Sequence, residues 1–142
     1  MGLTIGLAIG RIGCHLSGDG DWGTPTSLPW GVAYPNGTAD WRYPPGIFVH
    51  PAALYEMLAL LGIFVLLLRL RSRVAPAGAL FAIYLFLSGL TRLLVEVVRT
   101  NPPILFGLTE AQWTSIALSA GAALWLWTYG SIRWKSIPGP LA

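Results

Sequence analysis

Hydrophobic residues along this chain are gathered into four long segments, separated by stretches rich in proline, glycine and charged residues. The segments cover about residues 1–18, 51–70, 77–98 and 112–129. The last three approach the roughly 20 apolar residues that are needed to cross the hydrocarbon core of a membrane. Because a backbone in lipid must satisfy its own hydrogen bonds, all four segments are predicted to be transmembrane helices.

The first segment is shorter than the others and rich in glycine. About 16 helical residues rise roughly 24 Å, which is less than the ~30 Å thickness of the hydrocarbon core. Gly2, Gly6 and Gly10 recur at every fourth position, a spacing that lets two helices approach closely. We therefore expect either a helix that begins part-way through the membrane or further sequence upstream of Met1 that supplies a packing partner.

The composition indicates a membrane protein and argues against several other classes. Of 142 residues, 54% are hydrophobic and only 11% are charged, whereas a soluble domain has roughly 25% charged residues. The net charge of +3 is small and scattered, so we expect no nucleic-acid partner. The single cysteine, Cys14, excludes an internal disulfide and a metal site made of cysteines alone. We predict neither a cofactor nor a metal.

Cys14 raises one alternative, in which residues 1–14 are a lipoprotein signal with a lipidated cysteine. Such a signal begins with a basic region, but no lysine or arginine precedes Arg11 in this chain. Arg11 also lies where the apolar part of a signal should end. We therefore interpret this segment as a transmembrane helix.

Basic residues between and after the apolar segments predict the orientation of the chain. Two clusters are present, and they contain Arg69, Arg71, Arg73, Arg133 and Lys135. Loops rich in arginine and lysine stay on the cytoplasmic side of the membrane, so both clusters are predicted to be cytoplasmic. The long loop of about residues 19–49 and the short loop of about residues 100–110 would then face the periplasm.

Five ionisable residues lie within or at the ends of the apolar segments, namely Arg11, Glu56, Arg92, Glu96 and Arg99. Charged side chains are costly in lipid and usually face a protein interior or a wet cavity. Arg92, Glu96 and Arg99 are spaced by four and three residues, so they share one helix face. Arg92 and Glu96 are also placed for an i, i+4 ion pair. The pattern predicts a polar site near the outer leaflet.

Two of these residues suit a phosphate group. The guanidinium groups of Arg11 and Arg92 can bind phosphate oxygens in bidentate fashion, and neighbouring acidic residues would hold the arginines in place. The residues alone therefore predict a site for an anionic lipid that faces outward. They do not decide whether the lipid reacts.

Four sequence motifs, in the same order, resemble those of the prolipoprotein diacylglyceryl transferase family. The first includes GRIG, WG, PT and LPWG within residues 10–31, and the second is HP followed by LYE at residues 50–56. The third has the form GxxRxxVExxR at residues 89–99, and the fourth has the form GLTxxQW at residues 107–113. The resemblance covers the family's C-terminal half. We therefore expect that the N-terminal half, with a His-Gly-Gly segment that supplies the general base, is absent.

The resemblance implies a reaction of lipoprotein biosynthesis at the bacterial inner membrane. Members of the family transfer the diacylglyceryl group of phosphatidylglycerol to the lipobox cysteine of a preprolipoprotein. The product is a thioether, and glycerol phosphate leaves. The implied partners are phosphatidylglycerol, the lipobox peptide and membrane lipids. In this chain Arg11 and Arg92 would hold the lipid phosphate, while Glu56 and Glu96 would order the arginines and line the headgroup pocket.

Further site residues follow from the same resemblance and from where the chain departs from it. Asp19-Gly20-Asp21 replaces a stretch containing one glutamate and has one extra residue, so Asp19 and Asp21 are both candidates for that acid. His15 and His50 are the alternatives for the general base. The catalytic candidates are His15, His50, Glu56 and Glu96, and the substrate-binding candidates are Arg11, Arg92, Arg99, Asp19, Asp21 and Tyr55.

Two functions remain open from the sequence. The first is diacylglyceryl transfer by an all-α integral membrane protein that forms a single transmembrane domain over residues 1–142. The alternative is a non-catalytic protein or fragment that binds anionic phospholipid and needs a missing N-terminal half. A transporter or channel subunit has little support, because charges near one membrane face do not make a path through the bilayer.

Overall fold

The computed structural model describes residues 2–73 and 78–129, which contain four α-helices and no β-strand. The helices are α1 (Gly2–Ser17), α2 (Ala52–Leu70), α3 (Ala79–Glu96) and α4 (Glu110–Tyr129). The predicted all-helical class is confirmed for this part of the chain. The basic cluster at Arg133 and Lys135 lies outside the described residues.

The helices pack in chain order, with α1 on α2, α2 on α3 and α3 on α4. α3 and α4 cross closely at Gly89, where an added Cβ would lie 2.2 Å from Ser119 Oγ and 3.0 Å from the Ser115 carbonyl oxygen. Glycine at this position therefore lets the two helix backbones approach. The resulting arrangement brings the N-terminal end of α4 beside the C-terminal end of α3.

Two of the helices are long and apolar enough to cross a membrane. α2 and α3 have 19 and 18 residues and mean hydropathies of 2.1 and 1.6, but only 22% and 28% of these spans are buried. The core helix of a soluble protein would be mostly buried, so the exposed apolar sides of α2 and α3 are consistent with contact with lipid. Four membrane crossings remain a prediction.

The loop between α1 and α2 is hydrogen-bonded to the ends of α2 and α3. Gly23 N donates to the His50 carbonyl oxygen at 2.8 Å, and Thr24 N donates to the Val98 carbonyl oxygen at 2.7 Å. His50 N donates back to the Thr24 carbonyl oxygen at 3.1 Å. The backbone at residues 23–24 is therefore fixed between the beginning of α2 and the end of α3.

Aromatic rings give this loop a small core of its own. Trp22 is buried and stacks on Tyr34 with ring centroids 5.3 Å apart, and Trp41 meets both rings edge-on at 5.3 and 6.1 Å. Such aromatic pairs add about 0.5–1.5 kcal/mol each beyond the area that they bury. The cluster fixes the backbone around Trp22 and so determines the position of its neighbour, Asp21.

Gly23→Ala is expected to displace the loop from the helix ends. A Cβ at this position would lie 2.5 Å from the Val98 carbonyl oxygen and 2.8 Å from His50 Cβ. Relieving such a contact requires a backbone shift, which costs about 1–3 kcal/mol. Thermal unfolding in detergent should therefore show a lower free energy of unfolding.

The control for this substitution is Gly62→Ala in α2, where an added Cβ meets nothing within 4 Å. Alanine is favoured over glycine inside a helix by roughly 0.5–1 kcal/mol, so stability should be unchanged or slightly higher. Equal melting temperatures for wild type and Gly23→Ala would show that the loop is not held in this way.

Candidate functional site

Three arginines and three carboxylates form a continuous ion-pair network where α1, α2 and α3 meet the α1–α2 loop. α1 supplies one arginine, α2 one glutamate, and α3 one arginine and one glutamate. The loop supplies an aspartate, and the turn after α3 supplies the last arginine. The members are Arg11, Asp21, Glu56, Arg92, Glu96 and Arg99. With all six groups ionised, the network has no net charge.

Glu56 lies at the centre of the network and is largely buried. Its Oε1 accepts a hydrogen bond from Arg11 Nη2 at 3.0 Å, and its Oε2 accepts one from Arg92 Nη1 at 3.0 Å. The same Oε2 lies 4.0 Å from Arg99 Nη1. One carboxylate on α2 therefore holds guanidinium groups from α1 and α3 in fixed positions.

Asp21 joins the network from the loop. One of its carboxylate oxygens accepts a hydrogen bond from Arg11 Nη1, and the other accepts one from Arg99 Nη2. Asp19 is placed differently, because its Oδ1 accepts the backbone N–H of Asp21 at 3.2 Å. Of the two aspartates that the sequence left open, Asp21 therefore lies between the arginines, whereas Asp19 stabilises the turn that carries Asp21.

Glu96 is the most deeply buried member, with 0% of its side chain exposed. Its Oε1 accepts hydrogen bonds from Thr109 Oγ1 at 2.8 Å and from Asn101 Nδ2 at 2.7 Å. Neither partner was among the predicted site residues. Thr109 belongs to the GLTxxQW motif, which could have indicated it, but Asn101 carries no comparable signal.

The two candidate histidines are paired with tyrosines. His15 Nδ1 shares a hydrogen bond with the Tyr34 hydroxyl at 2.8 Å, and His50 Nδ1 shares one with the Tyr55 hydroxyl at 3.1 Å. Burial and the charge of Asp19 raise the pKa of Tyr34, so this hydroxyl keeps its proton at neutral pH. Among the described residues, neither histidine is hydrogen-bonded to the network.

Tyr55 lies beside His50 and makes no described contact with the arginines. Its hydroxyl accepts a hydrogen bond from Trp30 Nε1 at 2.8 Å in addition to the contact with His50. Trp30 belongs to the LPWG part of the first motif but was not among the predicted site residues. The pair Trp30–Tyr55 connects the loop to the first turn of α2.

A cleft of about 430 Å³ opens beside Arg92, between the end of α3 and the beginning of α4. Its volume falls within the ~300–1,000 Å³ range of small-molecule sites. Arg92, Asn101 and Thr109 line it, and all three contact Glu96. The Arg92 side chain is 24% exposed, so its guanidinium group can be reached by a ligand.

The arrangement is suited to binding an anion without prior rearrangement. Each guanidinium has five N–H donors, so Arg11 and Arg92 retain donors after bonding to Glu56 and Asp21. Fixed donors in a partly buried site stabilise negative charge without reorganising when that charge develops. These donors are therefore chemically suited to an anionic group such as a phosphate.

Comparison with known proteins shows which family this chain resembles. The family model described as prolipoprotein diacylglyceryl transferase matches residues 1–128. A phosphatidylglycerol–prolipoprotein diacylglyceryl transferase of Bordetella parapertussis is 39% identical over 133 residues, which cover 89% of this chain and 48% of the relative. The protein of the same name from Synechococcus elongatus is 36% identical over 138 residues, which cover 92% of this chain and 47% of the relative.

These alignments leave much of each relative unmatched. A third protein of the same name, from Finegoldia magna, is 36% identical over 117 residues, which cover 82% of this chain and 43% of the relative. The chain thus spans about half the length of the curated relatives that it matches. No solved structure matches it significantly.

Proposed function

Because this chain belongs to the prolipoprotein diacylglyceryl transferase family, we propose that it acts in diacylglyceryl transfer from phosphatidylglycerol to the lipobox cysteine of a preprolipoprotein. The observation that carries the proposal is the placement of Arg11 and Arg92. The two guanidinium groups come from different helices, are held by the two oxygens of Glu56, and remain partly exposed. This geometry favours recognition of a phosphate group.

The proposed first step is binding of the phosphate of phosphatidylglycerol to Arg11 and Arg92. The cleft beside Arg92 would receive the headgroup. Arg99 is turned toward Asp21 and Glu56 rather than the cleft, so its proposed contribution is to hold these carboxylates.

The proposed chemical step is attack by the substrate's cysteine thiolate on the glyceryl carbon that is bonded to the phosphate oxygen. A carbon–sulfur bond forms, the carbon–oxygen bond breaks, and its electron pair leaves with glycerol phosphate. The arginines would stabilise that departing charge. A base must first take the thiol proton, and His15 and His50 are the candidates within this chain. Each would need its free ring nitrogen to reach the thiol.

The proposed location is the bacterial inner membrane, with four transmembrane helices forming a single domain and the network near the periplasmic surface. α2 supports this orientation, because Glu56 and Arg69 are 13 residues apart, or roughly 20 Å along a helix. Arg69, Arg71 and Arg73 thus lie at the opposite end of α2 from the network. The loop of residues 19–49 would face the periplasm.

A second candidate function is non-catalytic binding of anionic phospholipid. One observation favours it specifically: among the described residues, neither His15 nor His50 is hydrogen-bonded to the arginine and carboxylate network. Lipid binding would need the arginines alone, whereas transfer also needs a base close to the substrate thiol. The two candidates share the phosphate site and differ in whether a product forms.

The test places this chain in vesicles that contain acyl-labelled phosphatidylglycerol, together with a lipobox peptide. Diacylglyceryl transfer predicts label on the peptide cysteine. Arg92→Ala should weaken phosphatidylglycerol binding about ten- to a hundredfold, from the strength of hydrogen bonds to charged groups. Trp127→Ala should leave binding unchanged, because this ring is 88% exposed and belongs to α4.

Each outcome separates the candidates. Intact phosphatidylglycerol binding with no label on the peptide would favour the non-catalytic function. Label that persists in Arg92→Ala, or an equal loss of binding in both variants, would contradict the proposed phosphate site.

A further inference from the structure

Two apolar clefts lie side by side at the end of the molecule opposite the ion-pair network. One, of about 350 Å³, opens between α3 and α4, and the other, of about 330 Å³, opens where α3 faces α1 and α2. Phe81 lines both clefts and is 54% exposed. Phe81 and Glu96 are 15 residues apart in α3, or roughly 22 Å, so the clefts and the network occupy opposite ends of this helix.

The clefts have the character of sites for hydrocarbon chains. Among the residues that the structure describes, no charged side chain lines either cleft. Gly121 leaves one of them open, because an added Cβ there would meet nothing within 4 Å. α3 is apolar and of membrane length, and only 28% of its span is buried. In the proposed membrane location, grooves on such a surface are filled by acyl chains.

Three arginines at the end of α2 have no partner of opposite charge within the chain. Arg69, Arg71 and Arg73 are all exposed, and among the described residues none of them forms an ion pair. The six acidic residues of the chain all lie at the other end, in the α1–α2 loop, near the beginnings of α2 and α4, or at the end of α3. A basic cluster of this kind beside a membrane helix attracts anionic lipids.

The arginine cluster and the clefts are adjacent. Leu67 lines one cleft, and Arg71 lies one helical turn further along the same face of α2, where its backbone N–H donates to the Leu67 carbonyl oxygen at 3.0 Å. Gly78 lines both clefts and directly precedes α3. The first turn of α3 has no acidic residue, so the positive end of its helix dipole adds to the charge of the arginines.

These features together select the kind of ligand. An acyl chain alone would not need the arginines, and a soluble phosphate would not need the clefts. A metal cation would be repelled by the arginines. A phospholipid with an anionic headgroup meets both requirements, and two clefts on either side of one phenylalanine ring match its two acyl chains.

We propose that Arg69, Arg71 and Arg73 bind the phosphate of an anionic phospholipid whose two acyl chains occupy the clefts on either side of Phe81. In the proposed orientation this lipid belongs to the cytoplasmic leaflet, whereas the network faces the periplasm, so it is not the lipid consumed in transfer. The inference rests on the proposed membrane location but not on the transfer reaction. The lipid is a bound partner that covers the apolar side of α3 and neutralises the arginine cluster.

The test places the chain in phosphatidylcholine vesicles with a trace of photoreactive lipid that has a diazirine in one acyl chain. This lipid is either phosphatidic acid, which has a phosphate and no further headgroup, or phosphatidylcholine. Cross-linked peptides that contain Phe81 are quantified by mass spectrometry. Each basic residue contributes about fivefold in affinity for an anionic lipid, so three arginines should favour phosphatidic acid about a hundredfold. Excess unlabelled phosphatidic acid should abolish this labelling.

Two pairs of variants separate a defined lipid site from general attraction between basic residues and an anionic membrane. Arg71→Gln should lower the preference for phosphatidic acid about fivefold, whereas Arg42→Gln, which changes an exposed arginine in the α1–α2 loop, should leave it unchanged. Gly121→Leu places a side chain in one cleft and should lower labelling at Phe81 about tenfold. Gly62→Leu is its control, because this glycine of α2 is equally unobstructed and lines neither cleft.

Equal labelling of Phe81 by phosphatidic acid and phosphatidylcholine in the wild type would overturn the proposal, and this comparison does not depend on whether a variant folds. The same labelling in Gly121→Leu and Gly62→Leu would also overturn it, because the arginines would then act only as a topology signal. A loss of phosphatidylglycerol binding through Arg11 and Arg92 is a separate result, because cross-links at Phe81 report the opposite end of α3.

Discussion

Glu56→Gln is expected to reduce phosphatidylglycerol binding about a hundredfold, which is the upper end of the effect of losing one hydrogen bond between charged groups. Glu56 bonds to Arg11 through one oxygen and to Arg92 through the other. Glutamine keeps one of these oxygens and places an amide N–H₂ where the second guanidinium donates. The negative charge of Glu56 would no longer offset the repulsion between Arg11 and Arg92. The two guanidinium groups would then move apart, and the proposed phosphate site would lose its geometry.

Vesicle binding and thermal unfolding together test this prediction. Binding should fall, and the free energy of unfolding should fall by about 3–5 kcal/mol, while circular dichroism still reports helix. Asp40→Asn is the control, because Asp40 is an exposed acid in the loop and outside the network. Wild-type affinity in Glu56→Gln would mean that the two arginines do not depend on this carboxylate.

Asp21→Asn and Asp19→Asn are expected to have very different effects, although the residues are two positions apart. The Asp21 carboxylate accepts hydrogen bonds from Arg11 and Arg99. Asparagine can accept only one of these two charge-assisted bonds, so phosphatidylglycerol binding should weaken at least about tenfold. Asp19 accepts the backbone N–H of Asp21 and is hydrogen-bonded to the Cys14 thiol, but among the described residues it makes no hydrogen bond to the arginines, and asparagine can still accept the backbone N–H. Affinity in Asp19→Asn should therefore stay within about twofold of wild type.

The measurement is the same vesicle assay with phosphatidylglycerol at several protein concentrations. A loss in Asp19→Asn with none in Asp21→Asn would reverse the assignment made from the structure. Equal losses would indicate that the turn as a whole, rather than the carboxylate between the arginines, determines binding.

The helices and the polar face of α3 could be predicted because their signals are local. Apolar runs located the helices, and the spacing of Arg92 and Glu96 predicted their pairing, which is observed at 3.7 Å. The end of α3 differs slightly, since the helix ends at Glu96 and Arg99 lies in the following turn. A turn that continues the helix direction still brings Arg99 to the network.

The role of the loop could not be predicted in the same way. Asp21 reaches Arg99 because Gly18 and Gly20 adopt positive φ values of 58° and 98°, and because residues 23–24 pair with the backbone near His50 and Val98. Such pairing depends on the whole fold. The sequence therefore left Asp19 and Asp21 equivalent.

The hydrogen-bond partners of the two histidines also could not be predicted from the sequence. His15 meets Tyr34 and His50 meets Tyr55, and neither pair has a spacing that indicates contact. Asn101 and Thr109 follow α3 in the chain and donate hydrogen bonds to the Glu96 carboxylate. These contacts also could not be predicted from sequence spacing. Burial of a carboxylate can be expected from its position in a helix, but its partners are known only when neighbouring segments are placed.

The contact between Asp21 and Arg99 joins residues 78 positions apart in the chain. Chains are synthesised from the N-terminus, and segments begin to fold in that order. Arg11 is therefore synthesised before Glu56, Arg92 and Arg99. The complete network can form only after Arg99 has been translated, so its six side chains come from segments that are made at well-separated times during synthesis.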